Sequence, residues 1–194
     1  MKTFNNHKIA QLAIYTALMI ILIFVPYTGF ISIGIVSFTI IPVVIALATY
    51  HHGFVGAMLT SILFGIGSFV LAMVGITHSI LFTRPEISIL PRVFLGLIVY
   101  GIYKLLGQIR LWKFMILSAL TVIINTSLVT GFMFMTAEYD YQVKDIARTL
   151  WVWLTLIWLN FTIELSASIV LSMPLFVLAK SLIQRNIDYV KNSW

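Results

Sequence analysis

The chain has 194 residues, of which 61% are hydrophobic and 9% charged, with a mean hydropathy of +1.06. No water-soluble domain of this length can hide so much apolar surface in one core, so the composition points to a polytopic helical membrane protein. A net charge of +6 and a pI near 9.7 do not make a nucleic-acid binder here, because the basic residues stand at the ends of apolar runs and form no stripe; the lack of cysteine excludes disulfides, thiolate metal sites and cysteine nucleophiles.

Crossing about 30 Å of hydrocarbon takes roughly 20 apolar residues in helix. In chain order the sequence offers candidate helices at about 9–25, 36–50, 54–76, 89–106, 114–135 and 149–180. The first is too long for a signal peptide and has no small-residue cleavage site, so it is expected to be retained. Within it, "AIYTA" sets Ala13 and Ala17 one turn apart, and Ala10 extends the stripe. Small residues at this spacing let helix backbones approach closely in lipid, either inside one bundle or between proteins. The second helix is short and carries Pro42, which predicts tilting, kinking or shielding by neighbours. His51, His52 and Gly53 mark a tight connection, and the third helix follows with a seam of Gly53, Gly56, Ala57, Ser61, Gly65, Gly67 and Ser68, expected to serve packing. The histidines at helix ends, including His78, have no partners at metal-ligand spacing, so no metal site is expected.

Between the third and fourth helices lies "FTRPEISILPRVFLG" (82–96), two arginines, one glutamate and two prolines amid apolar sequence. Pro85 and Pro91 stop one helix and start the next, and Arg92 falls at the N-terminal end of the fourth, where free N–H groups and the helix dipole favour anions. Arg92 is therefore a candidate seat for a carboxylate or phosphate, with Arg84 in reserve; the alternative is that Arg92 reaches lipid headgroups or pairs with Glu86. Asn125 in the fifth helix and Asn160 in the sixth lie at similar depth, with Glu164 one turn below Asn160. Polar groups at that depth either line a cavity or bond to one another as helix glue. Trp151, Trp153 and Trp158, with Tyr139 and Tyr141, form either an interfacial belt or the walls of a pocket. The sixth helix exceeds the bilayer at about 1.5 Å per residue, so it tilts or continues into the cytoplasm.

Orientation follows from Lys and Arg. With both termini cytoplasmic, Lys2, Lys8, Lys104, Arg110, Lys113, Lys180, Arg185 and Lys191 lie inside, and Arg84, Arg92, Lys144 and Arg148 outside beside the acids Glu86, Glu138, Asp140 and Asp145. The expected fold is an all-α membrane protein of six transmembrane helices, a single domain over 1–194. The connections 26–35, 77–91 and 136–148 are then outer loops, richer in Gly, Pro, Tyr and charge than the inner ones, which puts ligand recognition outside.

The small six-helix chain, Ala13 and Ala17, "PYTGFISIG" (26–34) leading into "SFTIIPVVIA" (37–46), "GFVGAMLTSILFGIGSF" (53–69) and "RPEISILPRVFLGLIVYGIY" (84–103) together resemble the substrate-binding S components of energy-coupling factor (ECF) vitamin transporters. "SILPRVFLGL" (88–97) is similar to the pantothenate-type branch; the C-terminal half resembles the family in topology alone. The resemblance implies a multi-pass protein of a bacterial plasma membrane that captures a vitamin from outside and is not an enzyme. It implies docking through Ala10, Ala13 and Ala17 onto a transmembrane coupling protein with two cytoplasmic ATPases. ATP and magnesium belong to those partners; no cofactor and no nucleic acid belong to this chain, which has no G-x-x-x-x-G-K-[ST] motif. The loop between the first and second helices would act as a lid. One departure is "VVIALATYHHG" (43–53), where many relatives carry an apolar-Gly-Pro turn. Pantothenate is the expected vitamin, with folate, riboflavin and hydroxymethylpyrimidine as alternatives and a stand-alone secondary transporter as a more distant one. The expected binding residues are Arg92, Arg84, Asn125, Asn160 and Trp151.

Overall fold

The computed structural model describes residues 6–25, 28–33, 36–75, 80–108, 110–137 and 150–192. Helix α1 (Asn6–Phe24) leads into a hairpin of β1 (Phe30–Ile33) and β2 (Val36–Thr39), then α2 (Ile41–His52) and α3 (Phe54–Met73). A 3-10 turn (Ile80–Thr83) and the single turn α4 (Pro85–Ser88) precede α5 (Leu90–Leu106), α6 (Leu111–Thr136) and α7 (Leu150–Asn192). Among the described residues, four spans have the length and apolarity to cross a membrane: Phe54–Met73, Pro85–Leu106, Leu111–Thr136 and Ile157–Leu178. Lys8–Phe24 and Ile41–His52 are shorter apolar helices. The chain is thus a helical membrane protein.

The all-α expectation needs one correction. Residues expected as loop and helix start form an antiparallel pair, Phe30 opposite Thr39 and Ile33 opposite Val36. β-branched and aromatic residues flanked by glycines favour this extended form over helix. The second helix therefore begins at Ile41 and not at 36, and Pro42 sits in its first turn, where a missing N–H leaves no bond unmade and no kink results. Twelve residues of helix rise about 18 Å, too little to span the hydrocarbon. Neighbours shield α2 instead: every residue from Ile41 to Thr49 is buried.

Gly53 turns α2 sharply into α3 with φ of 57°, a conformation side chains rarely tolerate. The small-residue seam of α3 is buried, as packing required: Gly56, Ala57, Ser61, Gly65, Gly67 and Ser68 all face the interior. A Cβ at Gly56 would stand 2.1 Å from the Ala48 carbonyl oxygen of α2, and one at Gly67 would stand 2.5 Å from Ile23 of α1. Tyr15 of α1 meets Nδ1 of His51 through its hydroxyl, which ties α1 to the end of α2. Tyr50, Phe114 and Phe176 bring their rings together at tilted angles between α2, α6 and α7, with centres 5.6–5.8 Å apart. The last helix runs to Asn192, beyond the expected end near 180, and contains Pro174. Of the connection 77–91, expected as an outer loop, residues 80–91 form the 3-10 turn, α4 and the start of α5, and 77–79 lie outside the described residues.

Candidate functional site

Two prolines shape the stretch that carries Arg92. Each stands in the first turn of its helix, Pro85 in α4 and Pro91 in α5. The two helices follow each other almost without a break. Ile89 N–H donates to the Pro85 carbonyl at 2.7 Å, and the N–H groups of Arg92 and Val93 both donate to the Ile89 carbonyl at 3.1 Å. Ser88 Oγ closes the turn by donating to the Phe82 carbonyl at 2.6 Å. The sequence predicts free N–H groups beside Arg92; the turn of α4 supplies acceptors for them, so the helix start contributes no open amide seat there.

The Arg92 side chain turns into the protein. It is 3% exposed, and Nη1 donates to the Ile87 carbonyl at 2.7 Å. Its guanidinium lies 4.9 Å from the ring centre of Phe64 on α3 and 5.1 Å from that of Phe82. Two aromatic faces attract a cation and take the place of water beside it. Gly65 makes this approach feasible: a Cβ there would come within 3.2 Å of Arg92 Cβ, Ile89 Cα and the Ser88 carbonyl oxygen. Arg92 Nε is buried with no hydrogen-bond partner. A desolvated cation with an unused donor is costly, and such groups at membrane depth mark sites of function. Neither headgroup contact nor a Glu86 pair accounts for this geometry.

Glu164 on α7 is the acid whose charge acts on Arg92 through space. Half-buried, it accepts the Thr39 N–H at 2.8 Å through Oε1, which joins α7 to the end of β2. Thr39 Oγ1 in turn accepts the Ile41 N–H at 3.2 Å, so the acid stands where the hairpin passes into α2.

Asn125 belongs to the buried stripe of α6 with Ser118, Thr121 and Val129. Its Oδ1 is buried and has no hydrogen-bond partner, as is Ser118 Oγ. One turn above it, Val129 packs in a cluster with Leu81, Ile87 and Met133, against which Phe82 rests. Asn125 thus lies one turn below the apolar cluster that includes both Ile87 and Phe82 of the arginine site. Among the described residues no hydrogen bond joins Asn125 to Asn160 or to Arg92. Asn160 is half-buried on α7, one turn from Glu164. Arg84 is half-buried, and its carbonyl caps α4 by accepting the N–H groups of Ile87 and Ser88. Trp151 lies in α7, but its side chain is outside the described residues, as are Trp153, Tyr139, Tyr141 and the connection 138–149. Trp158 is 59% exposed and faces outward, as an interfacial ring does. The described residues hold no group of three metal-ligating side chains.

Phe64, Phe82 and Thr39 belong to this site and were not singled out from sequence. The phenylalanines carry no signal apart from their neighbours: Phe64 precedes Gly65 and Phe82 opens the stretch that contains Arg92. On α1, Ala10, Ala13 and Ala17 are exposed with Ile14 and Ile21, and Tyr15, Met19, Leu22 and Ile23 are buried on the other side.

Comparison with known protein families adds one match. The model of the family described as ECF transporter, substrate-specific component, matches residues 7–176. Among curated proteins, none matches the chain.

Proposed function

The chain belongs to the family of ECF transporter substrate-specific components, and from that premise we propose that it captures a small anionic vitamin, pantothenate, with Arg92 as the receptor for its carboxylate. As a member of the family it is a multi-pass membrane transport subunit and not an enzyme, and it works with a coupling protein and ATPases. The observation that carries the reading is the buried guanidinium of Arg92, desolvated against Phe64 and Phe82 with Nε left without a partner. An arginine presents a fixed fork of donors that matches a carboxylate, and burial strengthens that bond by excluding water.

In this reading Asn125 supplies an acceptor to the hydroxyl or amide groups of the ligand, and Asn160, Arg84 and Trp151 complete the lining. The six apolar helices lie in the plasma membrane of a bacterium with both termini inside, and α2, too short to cross by itself, is surrounded by its neighbours. The exposed stripe of Ala10, Ala13 and Ala17 docks on the coupling protein, and two cytoplasmic ATPases bind the ATP and magnesium. The test is equilibrium binding of labelled pantothenate to the purified protein. Replacing Arg92 by Ala removes one partner of a buried charge pair, which costs about 2–5 kcal/mol. We expect affinity to fall by a factor of roughly 30 or more. Unchanged affinity in Arg92→Ala rejects the assignment.

A further inference from the structure

Where α6 begins beside α7, the surface holds a feature that vitamin capture leaves unused. Leu111, Phe176, Val177, Lys180 and Ser181 line an open groove of about 480 Å³, within the range of small-molecule sites, roughly 300–1,000 Å³. Phe176 is buried beneath it, with its ring centre 5.6 Å from that of Phe114, and Leu111 and Val177 are exposed at its walls. Val170, Met173 and Val177 are exposed along α7, and helical spacing puts them on the face that leads to Lys180. Lys180 itself is exposed, as is Arg110, which directly precedes Leu111. Trp112 is exposed beside them, as a ring at the headgroup level is. The nearby Lys113 is already engaged: its Nζ donates to the Leu106 carbonyl at 2.6 Å and lies 5.6 Å from the centre of the Trp112 ring. The acids whose side chains are described, Glu86 and Glu164, stand far from this corner. Glu164 is about 24 Å away along α7 by helical rise, and Glu86 adjoins Ile87, which packs near the opposite end of α6.

We propose that the groove between α6 and α7 binds one anionic phospholipid of the inner leaflet, with its phosphate on Lys180 and Arg110 and an acyl chain laid over Phe176 and Val177 towards Met173 and Val170. An apolar trough that ends in cations, with no acid beside them, complements a molecule with a long hydrocarbon tail and one negative head. Basic pockets between transmembrane helices on the cytoplasmic side hold anionic headgroups in this way. A zwitterionic lipid fits less well, because its choline adds a positive charge beside the phosphate that the two cations repel. The groove is separate from the alanine stripe, since α1 packs against α3 and α2. The inference takes only the orientation of the chain from the proposed function, and it needs neither the vitamin nor the coupling protein.

Native mass spectrometry reads the site in the full-length protein, delipidated in detergent and then given phosphatidylglycerol or a phosphatidylcholine with the same acyl chains. Wild type is expected to retain one phosphatidylglycerol and roughly ten-fold less phosphatidylcholine. Lys180→Gln and Arg110→Gln each lower retention of phosphatidylglycerol roughly five-fold. Val177→Trp fills the groove and lowers retention with the charge unchanged. Lys104→Gln removes the same charge from the exposed end of α5 and leaves retention as in wild type. All four positions are exposed, so these substitutions leave the packed interior alone. Equal retention of the two lipids overturns the proposal, and so does full retention in Val177→Trp. An equal loss in Lys104→Gln also overturns it, because the attraction is then diffuse and not seated in the groove. Pantothenate is absent throughout, so the outcome is independent of the ligand assigned to Arg92.

Discussion

The Arg92 guanidinium lies against two benzene rings and one carbonyl oxygen. That arrangement stabilises a cation less well than water does, and the unused Nε shows that the protein itself does not complete its hydrogen bonds. Asn125 presents the complementary case of a buried acceptor without a donor. Removing a buried polar group that has no partner is close to neutral for stability and can even increase it. Asn125→Ala is therefore expected to leave the melting temperature of the empty protein unchanged or slightly raised. In the proposed function the same substitution weakens ligand binding by roughly five- to ten-fold, the loss of about one hydrogen bond. Calorimetry and equilibrium binding on one preparation check both halves; a large loss of stability with unchanged binding assigns Asn125 to packing. The sequence marks Arg92, Asn125 and Glu164 as polar groups among apolar ones. It does not show which way they point. The inward turn of Arg92 depends on α3 coming close at Gly65, and the Thr39–Glu164 bond joins segments that only the tertiary fold brings together.

Helices and turns were legible where local chemistry decides them. Prolines open α4 and α5, and Gly53 separates α2 from α3. The hairpin is not legible because residues 36–39 run on into a helical pattern, although glycines at 29 and 34 flank the first strand and Ser32 and Ser37 stand opposite each other in the pair. Pro42 in a first turn also signals a helix start at 41. In lipid, helices gain little from hydrophobic association, so the glycine seam of α3 carries a large share of the packing. Gly56→Ala and Gly101→Ala separate packing from helix propensity. The first places a methyl group 2.1 Å from the Ala48 carbonyl oxygen, and the second meets nothing within 4 Å. Overpacking of this kind costs about 1–3 kcal/mol, so Gly56→Ala lowers the melting temperature in detergent. Gly101→Ala is neutral or stabilising by up to about 1 kcal/mol, because alanine suits a helix interior better. Equal melting temperatures for the two variants contradict the account of the seam.

At the scale of the whole molecule, composition alone identifies a membrane protein, and residues 10–103 carry most of the family resemblance, within the match to residues 7–176. Which substrate it takes is not written in any one segment, because the candidate site draws Phe64 from α3, Arg92 from α5, Asn125 from α6 and Glu164 from α7. The exposed alanines of α1 give the docking proposal its test. Ala17→Trp is expected to leave binding of labelled pantothenate intact and to abolish both ATP-dependent uptake and co-purification of the coupling protein. Uptake that persists without that complex favours a stand-alone transporter. The most direct test of the central claim, that a small anionic vitamin is held by Arg92, is native mass spectrometry of the ligand retained after mild detergent purification. The account predicts one small carboxylate, pantothenate, on the wild-type protein and none on Arg92→Ala. A retained cation or neutral molecule, or equal retention by both proteins, contradicts it.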